Sequence, residues 1–159
     1  MSLTPTIQST LERYQTEILA SLQSTIKRAQ AGSALDVVSN LAPFYGQMQY
    51  HLGWVDTNFS PVSSNPGKLL RPTLLLLAFE ATSEHNHDAE TEQHDSSHLS
   101  RALPAAASIE LTHNFTLIHD DIEDGDAIRY GQKTLHAEYG MPIALNVGDL
   151  LIGEGENGR

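Results

Sequence analysis

Ile118-His119-Asp120-Asp121-Ile122-Glu123-Asp124-Gly125-Asp126 is the stretch on which the reading of this chain turns. Five carboxylates fall within residues 120–126, with no lysine or arginine among them. The apolar positions leading into it, Ala105, Ala106, Ala107, Ile109, Leu111, Phe115, Leu117 and Ile118, predict a helix, and Gly125 is a natural stop. The acids therefore crowd the last helical turn. There the helix dipole disfavours each negative charge by ~0.3–1 kcal/mol, and like charges three or four residues apart cost roughly a few tenths of a kcal/mol more. A bound cation removes that penalty. At about 100° per residue, Asp120 and Asp124 share a face with His113, and Asp121 lies to one side of it. All-oxygen donors with open positions suit a hard cation that keeps waters and bridges phosphates, which points to Mg2+.

Composition narrows the alternatives. A chain of 159 residues fits one domain. Its net charge of −11 is concentrated, since residues 84–95 and 120–126 each hold five acids and no base, leaving the rest near balance. No basic stripe follows a phosphate backbone, which argues against nucleic-acid binding. The absence of cysteine excludes a disulfide framework and thiolate chemistry. Met1-Ser2-Leu3-Thr4-Pro5 shows no signal-peptide pattern, and the longest apolar run, Leu74 to Phe79, is too short to span a bilayer. The expectation is a soluble, cytoplasmic protein with no transmembrane segment.

Outward from the acidic turn, the chain reads as helices. Thr4-Pro5 suggests an N-cap and first helical position, followed by Ile7, Leu11, Tyr14, Ile18, Leu22 and Ile26 at helical spacing up to Gly32. A second pattern (Leu35, Val38, Leu41, Tyr45, Met48, Leu52) is interrupted by Pro43 and Gly46. Residues 56–67 are turn-rich. The nearly uniform apolar run Leu74–Ala81 is rich in leucine and alanine and poor in β-branched residues, which predicts a central buried helix. Residues 83–98 read as a polar, mobile loop whose His85, His87, His94 and His98 carry no assigned chemistry. After the acids, residues 127–136 read as a short polar connection, and Met141-Pro142 opens another apolar helix. The ending Gly153-Glu154-Gly155-Glu156-Asn157-Gly158-Arg159 looks unlike a continuing helix.

Lys68 and Arg71, three apart at a helix start, place two cations beside free backbone N–H groups, a pattern suited to a diphosphate. With the acidic face and Arg129, they describe a pocket for two diphosphates, one held by bases alone and one through a metal. Gly67-Lys68-x-x-Arg71-Pro72, then Glu110-x-x-His113 leading into Asp120-Asp121-x-x-Asp124, then Arg129-x-Gly131-x-x-Thr134 follow in order. From roughly Gln47 to Ile152 this resembles the trans-isoprenyl diphosphate synthases, the polyprenyl synthetase family. The resemblance implies an all-α fold, the N-terminal part of an isoprenoid-synthase-type helical bundle around a central cavity.

It also implies a reaction. Asp120 and Asp124, with Asp121 assisting, would hold Mg2+ on the diphosphate of an allylic substrate, which Arg129 would also bind. Lys68, Arg71 and His113 would seat isopentenyl diphosphate. Phe115, five residues before Asp120, would floor the growing chain and limit it to farnesyl or geranylgeranyl length. Tyr130 stands where the family commonly has a second arginine, and Lys133, where proline is usual, offers a compensating charge. The family continues into a second aspartate-rich half. Residues 1–159 thus read as a single incomplete helical domain, a truncated and weakly active member with exposed apolar helix faces. Such a chain forms a homodimer or associates with a full-length synthase, and a non-catalytic partner subunit is the alternative. A metal-dependent phosphohydrolase built on His119-Asp120 with His113 and His136 is a rival, but it leaves Gly67–Pro72 unused. A helical terpene cyclase shares the acidic motif without needing the Lys68/Arg71/His113 seat.

Overall fold

The computed structural model describes residues 6–32, 38–63, 67–84 and 96–157. Its elements are α1 (Ile7–Gly32), α2 (Val38–His51), α3 (Leu70–Glu84), α4 (Ser96–Asp124), β1 (Ile128–Arg129), β2 (Gln132–Lys133), α5 (Leu135–Tyr139) and α6 (Met141–Asn157). The architecture is helical, as expected, with one small hairpin that the pattern did not reveal.

α1 begins at a Thr6 cap, where the Ser9 N–H donates to Thr6 Oγ1 at 3.1 Å and the Ser9 hydroxyl donates back to the Thr6 carbonyl at 2.9 Å. The expected Thr4-Pro5 start lies outside the described residues. Tyr14, Ile18, Leu22 and Ile26 form the buried stripe that the spacing predicts, each contributing about 1.5–3 kcal/mol of apolar burial. Arg13 and the Tyr14 hydroxyl both bind the Glu80 carboxylate, tying α1 to α3.

The central helix is α4 rather than α3. It packs against α6, α3, α1 and α5, with Ala106, Leu111 and Ile118 in the core. α3 buries Thr73 and Leu76 but leaves Leu70 and Leu74 48% and 55% exposed. A run that is apolar all round carries no information about which side will be covered. Residues 83–98 are also not one loop, since α3 runs to Glu84 and α4 begins at Ser96. His85, His87 and His94 lie outside the described residues.

α2 runs through Pro43 without ending. Gly46 makes room for Phe59, whose ring stands 2.8 Å from where a Cβ would be. α6 also continues through its glycines to Asn157, contrary to the non-helical ending read from the sequence. Gly148 and Gly155 serve packing against α4, whereas Gly153 meets nothing within 4 Å. A Cβ at Gly148 would meet His119 Nε2 at 2.9 Å, and one at Gly155 would meet Ser108 at 3.4 Å. Among the described residues, no helix is long and apolar enough to cross a membrane.

Candidate active site

Two helices end close together and set up the site. α2 closes with Gly53 at φ 71°, its N–H donating to the Tyr50 carbonyl at 2.9 Å and the Trp54 N–H to that of Gln49 at 2.9 Å. α4 closes at Gly125, φ 70°, with the Asp126 N–H donating to the Asp121 carbonyl at 2.9 Å. Both are glycine-terminated C-caps that satisfy carbonyls left over by the helix. The chain then turns back through the hairpin β1–β2, pairing Arg129 with Gln132 across Tyr130 and Gly131. Both turn residues have positive φ, 52° and 83°, the conformation that matches strand twist in a two-residue turn. Tyr130 sits at the tip, 89% exposed. The Tyr50 hydroxyl donates to the Lys133 carbonyl at 2.9 Å and Gln132 Nε2 donates to the Tyr50 carbonyl at 3.1 Å, which fixes the hairpin on the end of α2.

This geometry divides the aspartates. Asp120 and Asp124 are exposed on α4, one turn apart, and make no hydrogen bond or ion pair among the described residues. Asp121 turns inward and is 2% exposed. Arg129 reaches its Oδ1 with Nε at 2.8 Å and Nη2 at 2.6 Å. The hydrogen bond to Asp121 holds the Arg129 guanidinium above its ordinary pKa. Asp121, expected to assist at a metal, thus has one oxygen committed to Arg129. Among the described residues, no three His, Asp or Glu side chains converge to hold a metal ion. The donors that do fit a hard cation are the two exposed carboxylates, whose chemistry suits Mg2+ with its other positions on water or phosphate oxygen.

On the cationic side, Gly67 and Leu69 have φ of 69° and 44°. Leu69 is buried, and that burial offsets the ~1–2 kcal/mol that a left-handed conformation costs a residue with a Cβ. The kink leaves Lys68 and Arg71 both exposed. Lys68 precedes α3 instead of sharing its first turn with Arg71. A cleft of ≈ 510 Å³ is lined by Gly67, Leu69, Glu110, His113, Tyr130 and Trp54, among others. Of the expected site residues it takes in His113, while Lys68, Arg71, Asp120 and Asp124 lie outside its lining and Asp121 and Arg129 line a smaller cavity instead. His113 marks where the charges meet. Burial lowers its pKa, the positive charges of Arg71 and Arg129 lower it further, and Asp120 opposes them. Burial raises the Glu110 carboxyl, against the stabilising Asn114 amide and Arg71.

Other expected residues face elsewhere. Phe115 packs on the His119 ring, centroids 4.4 Å apart. His119 itself points toward α6, with Nε2 3.8 Å from Asp149, and His136 Nδ1 lies 3.1 Å from the Thr134 hydroxyl. The histidines of the phosphohydrolase reading therefore do not converge. Lys133 pairs with Glu138 at 3.1 Å and so is engaged away from any compensating role beside Tyr130. Sequence reasoning missed His51, Tyr50, Asn114 and Gln132, which surround the Asp121–Arg129 pair. The only signal available was a histidine closing an apolar helix.

A polyprenyl synthetase family profile matches residues 53–155. The chain belongs to the polyprenyl synthetase family. It is 39% identical over 105 residues to a (2E,6E)-farnesyl diphosphate synthase of Mycobacterium tuberculosis, covering 66% of this chain and 26% of that protein. It is 33% identical over 143 residues to a geranylgeranyl diphosphate synthase of Sulfolobus acidocaldarius, covering 90% of this chain and 34% of that one. The crystal structure of a polyprenyl synthetase from Streptomyces coelicolor superimposes with a TM-score of 0.73 at 29% identity, covering 96% of this chain and 38% of the other. This polyprenyl synthetase chain thus spans between 26% and 38% of the lengths of these relatives.

Proposed function

We propose that this chain carries the substrate-gathering part of a chain-elongating prenyltransferase site, joining an allylic diphosphate to isopentenyl diphosphate. The observation that carries the reading is the position of His113 on the cleft, within reach of the charges of Arg71, Arg129 and Asp120 together. Asp120 and Asp124 would hold Mg2+. When bound, that ion would neutralise charge on the departing diphosphate. Asp121 holds Arg129, whose remaining N–H groups are then available to the allylic diphosphate. Lys68 and Arg71 bind the second diphosphate, and His113, its pKa lowered, donates from a neutral ring. The allylic C–O bond breaks with its electron pair leaving on the diphosphate. The double bond of isopentenyl diphosphate attacks the resulting cation, and proton loss restores a double bond.

Kinship with farnesyl and geranylgeranyl diphosphate synthases supports a short product. Binding of inorganic pyrophosphate tests the site directly. Calorimetry should show, beyond any binding at the Lys68 and Arg71 seat, a further binding event that requires Mg2+ and is lost in Asp120→Asn and Asp124→Asn. Equal binding with and without Mg2+ would reject the reading.

A second reading has its own support. Leu70 and Leu74 on α3, and Met141 and Leu145 on α6, are exposed apolar side chains, each pair four residues apart on one helix face. This favours a chain that works in association with a second copy or a full-length synthase. Sedimentation of the purified chain, alone and mixed with such a synthase, separates these cases.

A further inference from the structure

Behind the Asp121–Arg129 pair lies a second, much smaller cavity of ≈ 20 Å³, lined by Tyr50, His51, Asn114, Asp121, Arg129 and Gln132 among others. Its volume suits one water molecule, and its walls supply the polar partners that an enclosed water needs. His51 lines both this cavity and the large cleft. Its Nε2 is sealed from solvent and finds no partner among the described residues. A buried ring nitrogen left without a partner costs about 1–3 kcal/mol, so its placement here needs a reason. Asn114 supplies part of one. Its amide nitrogen donates to the Glu110 carbonyl at 2.8 Å and to Glu110 Oε1 at 3.3 Å, and its side chain and backbone both lie within hydrogen-bonding range of the His51 ring. Arg129, meanwhile, makes both of its contacts to Asp121 through a single oxygen, Oδ1.

We propose that His51 is a positioning residue for Arg129: through one water held in this cavity, its Nε2 fixes the Asp121 carboxylate, and that carboxylate in turn holds the guanidinium in a set orientation. The assignment rests on the diphosphate site proposed above. His51 touches no substrate in this scheme. It acts by removing freedom from a charged pair that a bound diphosphate would otherwise have to order, the usual gain from a preformed site. It also links the end of α2 to the hairpin, so the cleft wall and its cation move together.

The test uses the full chain and inorganic pyrophosphate with Mg2+. His51→Leu keeps the apolar bulk and removes the hydrogen bond; it should weaken pyrophosphate binding roughly three- to tenfold, and His51→Gln should restore most of it. In an Arg129→Gln background the same His51→Leu change should add little, the mark of a shared path. A wild-type-like affinity for His51→Leu, or an equal loss in both backgrounds, would overturn the proposal. If Arg129→Gln alone leaves binding unchanged, the diphosphate reading itself has failed, a separate result. Should His51→Leu not fold, the unmodified chain still decides. Transfer of magnetisation from a long-lived water to both the His51 ring and the Arg129 Nε–H is expected, and its absence refutes the bridge.

Discussion

The acidic and the cationic shoulder of the candidate site are built on opposite principles. The acidic shoulder is fastened from every side: a C-cap at Gly125, a two-residue hairpin held to Tyr50, and a carboxylate enclosed with its arginine. The cationic shoulder kinks at Gly67 and the buried Leu69, and Lys68 and Arg71 are exposed on it. Rigid geometry on one side and long flexible side chains on the other suit different tasks. A leaving group needs its countercharge fixed in advance. A second substrate that must enter and align gains from side chains that can follow it, at the cost of ordering them on binding.

The sharpest way to break this contrast is Asp121→Ala. Arg129 would lose its enclosed partner, and urea denaturation should show a loss of roughly 3 kcal/mol, whereas Arg71→Ala on the other shoulder should leave the midpoint nearly unmoved. An equal response from both would abolish the distinction.

Acid should act on the same shoulder almost as strongly. Burial pulls His51 down from 6.5 to about 4, with Asp121 opposing and Arg129 reinforcing. The unfolded chain therefore takes up this proton more readily than the folded one. The contribution is fully present above pH 6.5 and is lost as pH falls toward 4. Denaturation at the two pH values should differ by roughly 2–3 kcal/mol from this group, a difference that His51→Gln removes.

A smaller effect is expected at Gly67→Ala. Nothing crowds a Cβ there, so only the φ of 69° matters, costing about 1–2 kcal/mol and lowering pyrophosphate affinity as Lys68 shifts. Smallest of all, Asp124→Asn should raise the stability of the metal-free chain by a few tenths of a kcal/mol, ~0.3–1 at most, because it removes a charge that the helix end disfavours. The same change should weaken Mg2+-dependent binding. Stability and ligand affinity moving in opposite directions is the signature sought.

Much of this was legible in residue order. The buried stripe of α1, the run of α4 and its stop at Gly125 follow from periodicity and one glycine. Lys68, Arg71, His113 and Arg129 were readable as candidates because each sits in a spaced motif, and of these the structure brings the charges of Arg71 and Arg129 to bear on His113. The fate of Asp121 was not. Helical angle places it beside the acidic face, but its burial depends on where the hairpin returns, and two-residue strands leave almost no pattern. The course of α6 was misread for a related reason. Glycine there marks close contact with α4, and only the neighbour reveals that. His51 stayed hidden because its environment comes from α4 and the hairpin, both remote in sequence.

Trp54 is the chain's single tryptophan, and it stands in the wall of the large cleft, just past the cap of α2. The molecule therefore carries its own optical probe. Indole emission, free of any competing tryptophan, should shift in colour and intensity as the hollow fills, so a titration can be followed without a label.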